Sequence, residues 1–105
     1  MLDFSILSNP AARVYTVDLN LTDPVRLANQ LQQTNSPQRP HFLIDCQRLA
    51  CLRTRGVSYL VSQLLLTKQA GADVLLYNVG SVLGRTLRLL KLHQVFPIVP
   101  APRTI

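Results

Sequence analysis

Two short apolar segments, HFLIDC at residues 41–46 and VLLYNV at residues 74–79, constrain the fold of this chain most strongly. Neither segment alternates between apolar and polar residues, which is typical of strands that are covered on both faces in a parallel sheet. Each segment is followed by apolar residues at helical spacing, which indicates that a strand leads into a helix. Two successive strand–helix units predict an α/β fold with a mainly parallel sheet.

The remaining elements are predicted from local turn and cap signals. Strands at residues 4–7 and 14–19 flank a turn signal and are expected to pair as an antiparallel hairpin. The Thr22-Asp23-Pro24 triplet indicates a helix start, because it joins capping side chains to a proline in the first turn. A final strand at residues 95–99 is expected at the sheet edge, since proline cannot donate to a central ladder. The predicted order is ββαβαβαβ in a single domain that covers residues 1–105.

The charge and composition narrow the classes of partner. The formal net charge of +6 would attract phosphates, acidic proteins or anionic lipid head groups. The basic residues are spread along the chain and only 6% of residues are aromatic, so nucleic-acid binding is weakly supported. The apolar runs are too short to span a membrane, and the N-terminus lacks the pattern of an export signal. We therefore expect a cytoplasmic protein.

The chain is poor in residues that carry catalysis. Its acidic residues are all aspartates, and His41 and His93 have no acid, serine or cysteine at a recognisable motif spacing. Cys46 and Cys51 fit neither a disulfide framework nor a zinc site, and we expect buried, reduced thiols. The glycine spacing matches no phosphate-binding loop. We therefore expect no enzyme activity, no catalytic residue, no metal and no cofactor.

The segment CLRTRGVSYLV at residues 51–61 places Arg53 and Arg55 around Thr54, where a strand is expected to turn into a helix. Cations at a helix N-terminus oppose the helix dipole by roughly 0.3–1 kcal/mol each. A hydroxyl group there is a natural carrier of phosphate, because the N–H groups of the first turn are unpaired. Two interpretations remain open. Either Thr54 caps the helix between solvated arginines, or the segment is a docking surface.

From residue 42 onward the sequence resembles the STAS domain, the family of the anti-sigma factor antagonists. The matching features are the strand that ends at Asp45, the helix start at Gly56-Val57, the KQAG turn at residues 68–71, the strand that ends in Asn78-Val79, and the closing segment LHQVFPI at residues 92–98. The resemblance implies a STAS-like sheet and a protein-binding module of bacterial signal transduction and transcription regulation. Its expected partner is an anti-sigma factor, a similar kinase-like protein or another protein with an acidic surface.

The resemblance also indicates which residues would contact that partner. STAS members carry Asp-Ser-Ser-Gly at residues 53–56, and the second serine is phosphorylated. Arg55 stands at that serine here and Arg53 at the aspartate, so the usual phosphoserine switch is expected to be absent. Thr54, at the first serine, is the candidate phosphoacceptor. The expected contact surface comprises Gln47, Arg48, Arg53, Thr54, Arg55, Gly56 and Ser58.

Two alternatives to an antagonist-like module stay open. One is a STAS-type cytoplasmic subunit of a lipid-transport complex, since such subunits also have a threonine at the position of Thr54. The other is direct binding of nucleic acid or another polyanion through the basic charge. The sequence does not indicate an oligomeric state.

Overall fold

The computed structural model describes residues 13–32 and 39–100, which form an α/β fold around a parallel sheet. The predicted strand at residues 4–7, and with it the predicted hairpin, lies outside the described residues. The described elements are β1 (Val14–Val17), α1 (Pro24–Gln32), β2 (His41–Asp45), α2 (Ala50–Thr54), α3 (Gly56–Gln69), β3 (Asp73–Tyr77), α4 (Ser81–Leu89) and a 3-10 helix (Leu92–Gln94).

The sheet has three strands in the order β1-β2-β3, and both pairings are parallel. Leu43 at the centre of β2 lies between Thr16 of β1 and Leu75 of β3. The predicted α/β class and parallel sheet are therefore confirmed. The complete ββαβαβαβ order and the STAS-specific fold remain predictions.

Both faces of the sheet are covered, which explains the absence of alternation in β2 and β3. On one face, Phe42 and Leu76 join the main core together with the buried Leu60 and Leu64 of α3. On the other face, Leu43 and Leu75 form a second cluster with Val99. A strand that is buried on both sides has no position for a solvent-facing polar residue.

The segment predicted as the final strand, residues 95–99, pairs with the sheet at one point. Ile98 forms a single parallel bridge with Leu76, so the prediction of a continuous strand there is wrong. The reason is that the N–H groups of Val95 and Phe96 both donate to the carbonyl oxygen of Leu92, at 3.0 and 2.7 Å. These bonds close a turn at the 3-10 helix. The N–H groups of those two residues are therefore not available to pair with the sheet.

The helix start predicted at Thr22-Asp23-Pro24 is confirmed. Asp23 Oδ1 accepts hydrogen bonds from the N–H groups of Val25 and Arg26, at 3.0 and 3.3 Å. Two N–H groups of the first turn that lack a partner within the helix are satisfied in this way. Among residues 13–32 and 39–100, no helix combines the length and apolar character needed to cross a bilayer.

Candidate partner-binding surface

The candidate surface begins where β2 ends at the carboxyl edge of the sheet. Asp45 Oδ1 accepts a hydrogen bond from the N–H of Gln47 at 2.9 Å and another from Asn78 Nδ2 at 3.2 Å. The first bond closes a tight turn that leaves Gln47 and Arg48 exposed. Ligands of open α/β sheets usually bind at this edge.

The chain does not pass directly from β2 into the long helix. It first forms the short helix α2, and α3 begins only at Gly56, which has a φ of +84°. Arg53 therefore lies in the last turn of α2, where a cation interacts favourably with the helix dipole. The expectation that Arg53 stands at a helix start and opposes the dipole is wrong.

Thr54 does not cap the long helix, so the predicted cap is wrong, whereas the exposure of Arg53 and Arg55 fits the expectation of solvated arginines. Its Oγ1 donates a hydrogen bond to the carbonyl oxygen of Ala50, 3.0 Å away and four residues earlier in α2. The cap position of α3 is Arg55, which makes no side-chain capping bond. Thr54 is nevertheless exposed, so a modifying enzyme can reach it.

Arg55 is held by an aromatic ring one helical turn further on. Its guanidinium carbon lies 4.8 Å from the centre of the Tyr59 ring, a distance at which a cation–π interaction stabilises the pair. Tyr59 is half-buried and fixes the arginine at the surface rather than drawing it inside. Tyr59 was not predicted from the sequence as part of this surface, although its spacing of four residues from Arg55 was a usable signal.

The arginines of this surface make no ion pair with any carboxylate that the structure describes. Asp73, at the amino end of β3, shows the contrast. Its Oδ1 lies 3.2 Å from both Arg39 Nε and Lys68 Nζ, and its Oδ2 lies 3.8 Å from His41 Nδ1. The opposite end of the sheet thus has a carboxylate that balances its cations.

The loop after β1 supports α2 through Asn20, a residue that the sequence analysis did not single out. Asn20 Nδ2 donates to the carbonyl oxygen of Arg48 at 2.7 Å, and Asn20 Oδ1 accepts from the N–H of Ala50 at 2.9 Å. The N–H of Asn20 itself donates to Asp18 Oδ1 at 2.9 Å. This arrangement holds the backbone on both sides of Leu49.

The two cysteines differ in their surroundings, and both are free. Cys46 is buried, as predicted, whereas Cys51 is only half-buried. Burial, followed by the negative charges of Asp45 and Cys51, raises the pKa of the Cys46 thiol to about 12. Burial, followed by Asp45 and Cys46, also raises the pKa of Tyr77. Cys46 is therefore a neutral thiol near pH 7.

The histidines lie apart from the candidate surface. His41 is beside Asp73, and His93 belongs to the 3-10 helix, where its Nδ1 is buried without a hydrogen-bond partner among the described residues. Across the described ranges, no three histidine, cysteine or acidic side chains converge in a way that could hold a metal ion.

The seven expected contact residues lie in one stretch around α2 and the start of α3, but they differ in burial. Gly56 is half-buried and the other six are exposed. Gln47, Arg48 and Arg53 line an open hollow of about 460 Å³, whose floor includes the buried Leu49. A second hollow, of about 320 Å³, has Tyr59 and Cys51 in its wall. Their part in partner binding remains a prediction.

Comparison with known proteins found no match to a protein family, to a curated protein or to a solved structure.

Proposed function

We propose that this chain is a non-catalytic protein-binding module, similar to the anti-sigma factor antagonists, whose Gln47–Ser58 surface binds an acidic partner. The Gln47–Ser58 surface is defined as the seven residues Gln47, Arg48, Arg53, Thr54, Arg55, Gly56 and Ser58. The regulated protein would be an anti-sigma factor or a similar signalling protein. The proposal rests on the STAS resemblance of the sequence and on the chemistry of this surface.

The observation that carries the proposal is the unpaired state of three neighbouring arginines. Arg48, Arg53 and Arg55 are exposed and have no ion pair with a described carboxylate, although Asp73 binds two cations elsewhere on the same sheet. A guanidinium group presents a planar fork of donors that matches a carboxylate with two parallel hydrogen bonds. An acidic partner would supply carboxylates that pair with these arginines.

The geometry around the arginines favours a macromolecular partner. Stacking on Tyr59 restricts Arg55 before binding, which lowers the entropy that the side chain loses in a complex. The hollow beside Arg48 and Arg53 is about half open to solvent, whereas sites for small molecules usually bury most of their ligand. Charged, exposed arginines around open hollows are compatible with a protein–protein interface.

Phosphorylation of Thr54 would regulate such a surface by charge. A phosphate at Thr54 adds about −1.5 to −2 charges between Arg53 and Arg55 and offers oxygens that accept hydrogen bonds from both. Phosphorylation also removes the hydrogen bond from Thr54 Oγ1 to the carbonyl oxygen of Ala50, because the phosphate replaces the hydrogen that is donated. We expect phosphorylated Thr54 to occupy the arginines and to weaken the binding of an acidic partner.

The test is a comparison of partners recovered from native cells. Tagged wild-type protein, an Arg53→Asp/Arg55→Ser variant and an Arg26→Gln control are purified in parallel, and the bound proteins are identified by mass spectrometry. Arg26 is an exposed arginine on α1, so its replacement removes a positive charge without changing the Gln47–Ser58 surface. We expect a partner that is recovered with the wild type and the control and is lost with the double variant.

Binding of the purified partner to each variant then confirms that the interaction is direct. Recovery of the same proteins by all three variants would remove the two arginines from the interface and contradict the proposal. Loss of the partner from the Arg26→Gln control as well would mean that total charge, rather than this surface, determines binding. A phosphopeptide search on the same samples shows whether Thr54 is modified.

A further inference from the structure

Helix α4 and the residue that follows it carry half of the large exposed apolar residues in the described part of the chain. Val82 is 72% exposed, Leu89 is 75% exposed and Leu90 is 58% exposed. Of the other three in the described ranges, Leu65 and Leu66 lie on α3 and Leu21 lies in the loop between β1 and α1. Contiguous apolar residues on a surface often mark an interaction site.

The spacing of these residues places two of them on one row of the helix. Leu83 and Leu87 of α4 are buried in the core, which fixes the inner face of the helix. Val82 and Leu89 are seven residues apart, two helical turns, and therefore point outward along one line. Arg85 lies between them on the same side. This row has the spacing with which an amphipathic helix docks on another.

The charge of this region has a single sign. Arg85, Arg88 and Lys91 are exposed beside the apolar row. No aspartate or glutamate occurs from residue 74 to residue 105, so the sequence around the row provides no acid to balance these cations. An apolar row edged by basic side chains is complementary to an apolar row edged by acidic ones.

We infer that the α4 outer face, defined as Val82, Arg85, Arg88, Leu89, Leu90 and Lys91, is a second docking surface, and that it binds an acidic amphipathic helix of a partner protein. The apolar residues of that helix would cover Val82 and Leu89, and its acidic residues would pair with Arg85 and Arg88. This inference goes beyond the proposed function, because it uses a different helix and none of the residues of the Gln47–Ser58 surface.

Two other occupants fit the observations less well. A second copy of the chain would place the same basic helix against itself, and like charges at close range repel each other. An anionic bilayer would attract the cations, but helices that adsorb to membranes present a broad apolar face. The outer face of α4 presents one narrow row.

The test uses a designed peptide of about 20 residues, long enough to form a helix on binding. The peptide carries leucines at helical spacing of three, four and seven residues, flanked by glutamates, and a matched peptide carries lysines in their place. Binding to the wild-type protein is followed by backbone amide NMR. We expect the acidic peptide to shift the amide signals of α4 and the lysine peptide to leave them unchanged.

Variants separate the apolar and the charged contributions. Val82→Asn/Leu89→Gln and Arg85→Gln/Arg88→Gln are each expected to weaken binding of the acidic peptide about tenfold or more, which corresponds to about 1.4 kcal/mol. The matched control is Leu65→Gln/Leu66→Gln, which replaces two exposed leucines on α3. Because all the substituted residues are exposed, the fold should persist, and the NMR spectrum verifies this.

A failure of this inference can be distinguished from a failure of the proposed function, because the two proposals concern different surfaces and are tested with different variants. An Arg53→Asp/Arg55→Ser variant that still binds the acidic peptide supports an independent surface on α4. The inference is overturned if the acidic peptide does not bind, if the lysine peptide binds equally well, or if the signal shifts map to α1–α3. It is also overturned if vesicles with anionic lipid bind through α4 while the acidic peptide does not.

Discussion

Asn20 caps Ala50 from a distance of 30 residues in the sequence, through a hydrogen bond of 2.9 Å from the Ala50 N–H to Asn20 Oδ1. The same side chain holds the carbonyl oxygen of Arg48 with its Nδ2. A residue after β1 thus binds the first N–H of α2, and α2 carries Arg53 and Thr54 of the Gln47–Ser58 surface. The position of the surface depends on contacts between two separate loops.

We predict that Asn20→Ala lowers the free energy of unfolding by about 1–2 kcal/mol, because the Ala50 N–H and the Arg48 carbonyl both lose their partner. Asn20→Asp keeps the acceptor for Ala50 but sets a carboxylate oxygen against the carbonyl oxygen of Arg48, which repels it, so we expect the free energy of unfolding to decrease in this variant as well. Urea unfolding followed by circular dichroism measures both variants. If Asn20→Ala unfolds at the same urea concentration as the wild type, Asn20 does not support α2.

The free energy of unfolding should decrease as the pH rises above the ordinary pKa of a cysteine thiol. The Cys46 thiol has a reference pKa of 9.0 and a pKa of about 12 in the folded chain. Between these values the unfolded chain releases the proton while the folded chain keeps it, so the free energy of unfolding decreases as pH rises. The stabilisation that comes from the protonated Cys46 thiol is fully present below pH 9 and is lost towards pH 12. The free energy of unfolding falls by up to about 1.4 kcal/mol per pH unit in this range.

Replacement of the thiol tests this pH dependence. We expect the Cys46→Ala variant to lose less stability between pH 9 and about 11 than the wild type does, because the variant has no thiol to titrate. Cys51→Ala is the matched control and should keep most of the wild-type slope, since Cys46 remains buried in it. Equal slopes for the wild type and Cys46→Ala in urea unfolding would show that the pKa of Cys46 is not raised.

The two glycines with positive φ should differ in their tolerance of alanine. Gly71 has a φ of +110°, and the side chain of Gln32 occupies the place that a Cβ atom would take. Gly56 has a φ of +84° and open space at that place. Left-handed backbone costs a residue with a side chain of the order of 1–3 kcal/mol, so Gly56→Ala should lose about that amount. Gly71→Ala should lose more, because a φ of +110° lies further from the left-handed region that side chains tolerate, whereas the exposed end of Gln32 can move aside.

A third variant separates the backbone strain from the contact. Combining Gly71→Ala with Gln32→Ala removes the side chain that meets the new Cβ, and we expect little of the lost stability to return, because the exposed end of Gln32 can already move aside. Thermal and urea unfolding of the two alanine variants and the combined variant give the comparison. A combined variant that regains most of the stability lost by Gly71→Ala would show that the contact with Gln32, rather than the backbone, carries the cost.

The elements that the sequence predicted correctly are those with local signals. Residues 41–46 and 74–79 were predicted as buried parallel strands because an apolar run without alternation fits no other position in a sheet. They correspond to β2 and β3, with shifts of one or two residues at the ends. The start of α1 followed from the capping ability of Asp23, which acts on its immediate neighbours.

The elements that were predicted incorrectly depend on contacts between distant residues. Nothing close to Thr54 in the sequence shows that α2 forms before α3, since the cap on Ala50 comes from Asn20. The segment at residues 95–99 has the composition of a strand, yet hydrogen bonds to Leu92 reduce its pairing to one bridge. Local propensity is a weak prior wherever such contacts compete with it.

For the candidate surface, the amino-acid sequence shows which charges are present: arginines at residues 53 and 55, and no acid after residue 73. The fold controls how these residues are presented. It directs the Thr54 hydroxyl to the Ala50 carbonyl, stacks Arg55 on Tyr59 and pairs Asp73 with cations at the other end of the sheet. Charge is a property of composition, whereas the partner of each charge depends on which distant segments the fold brings together.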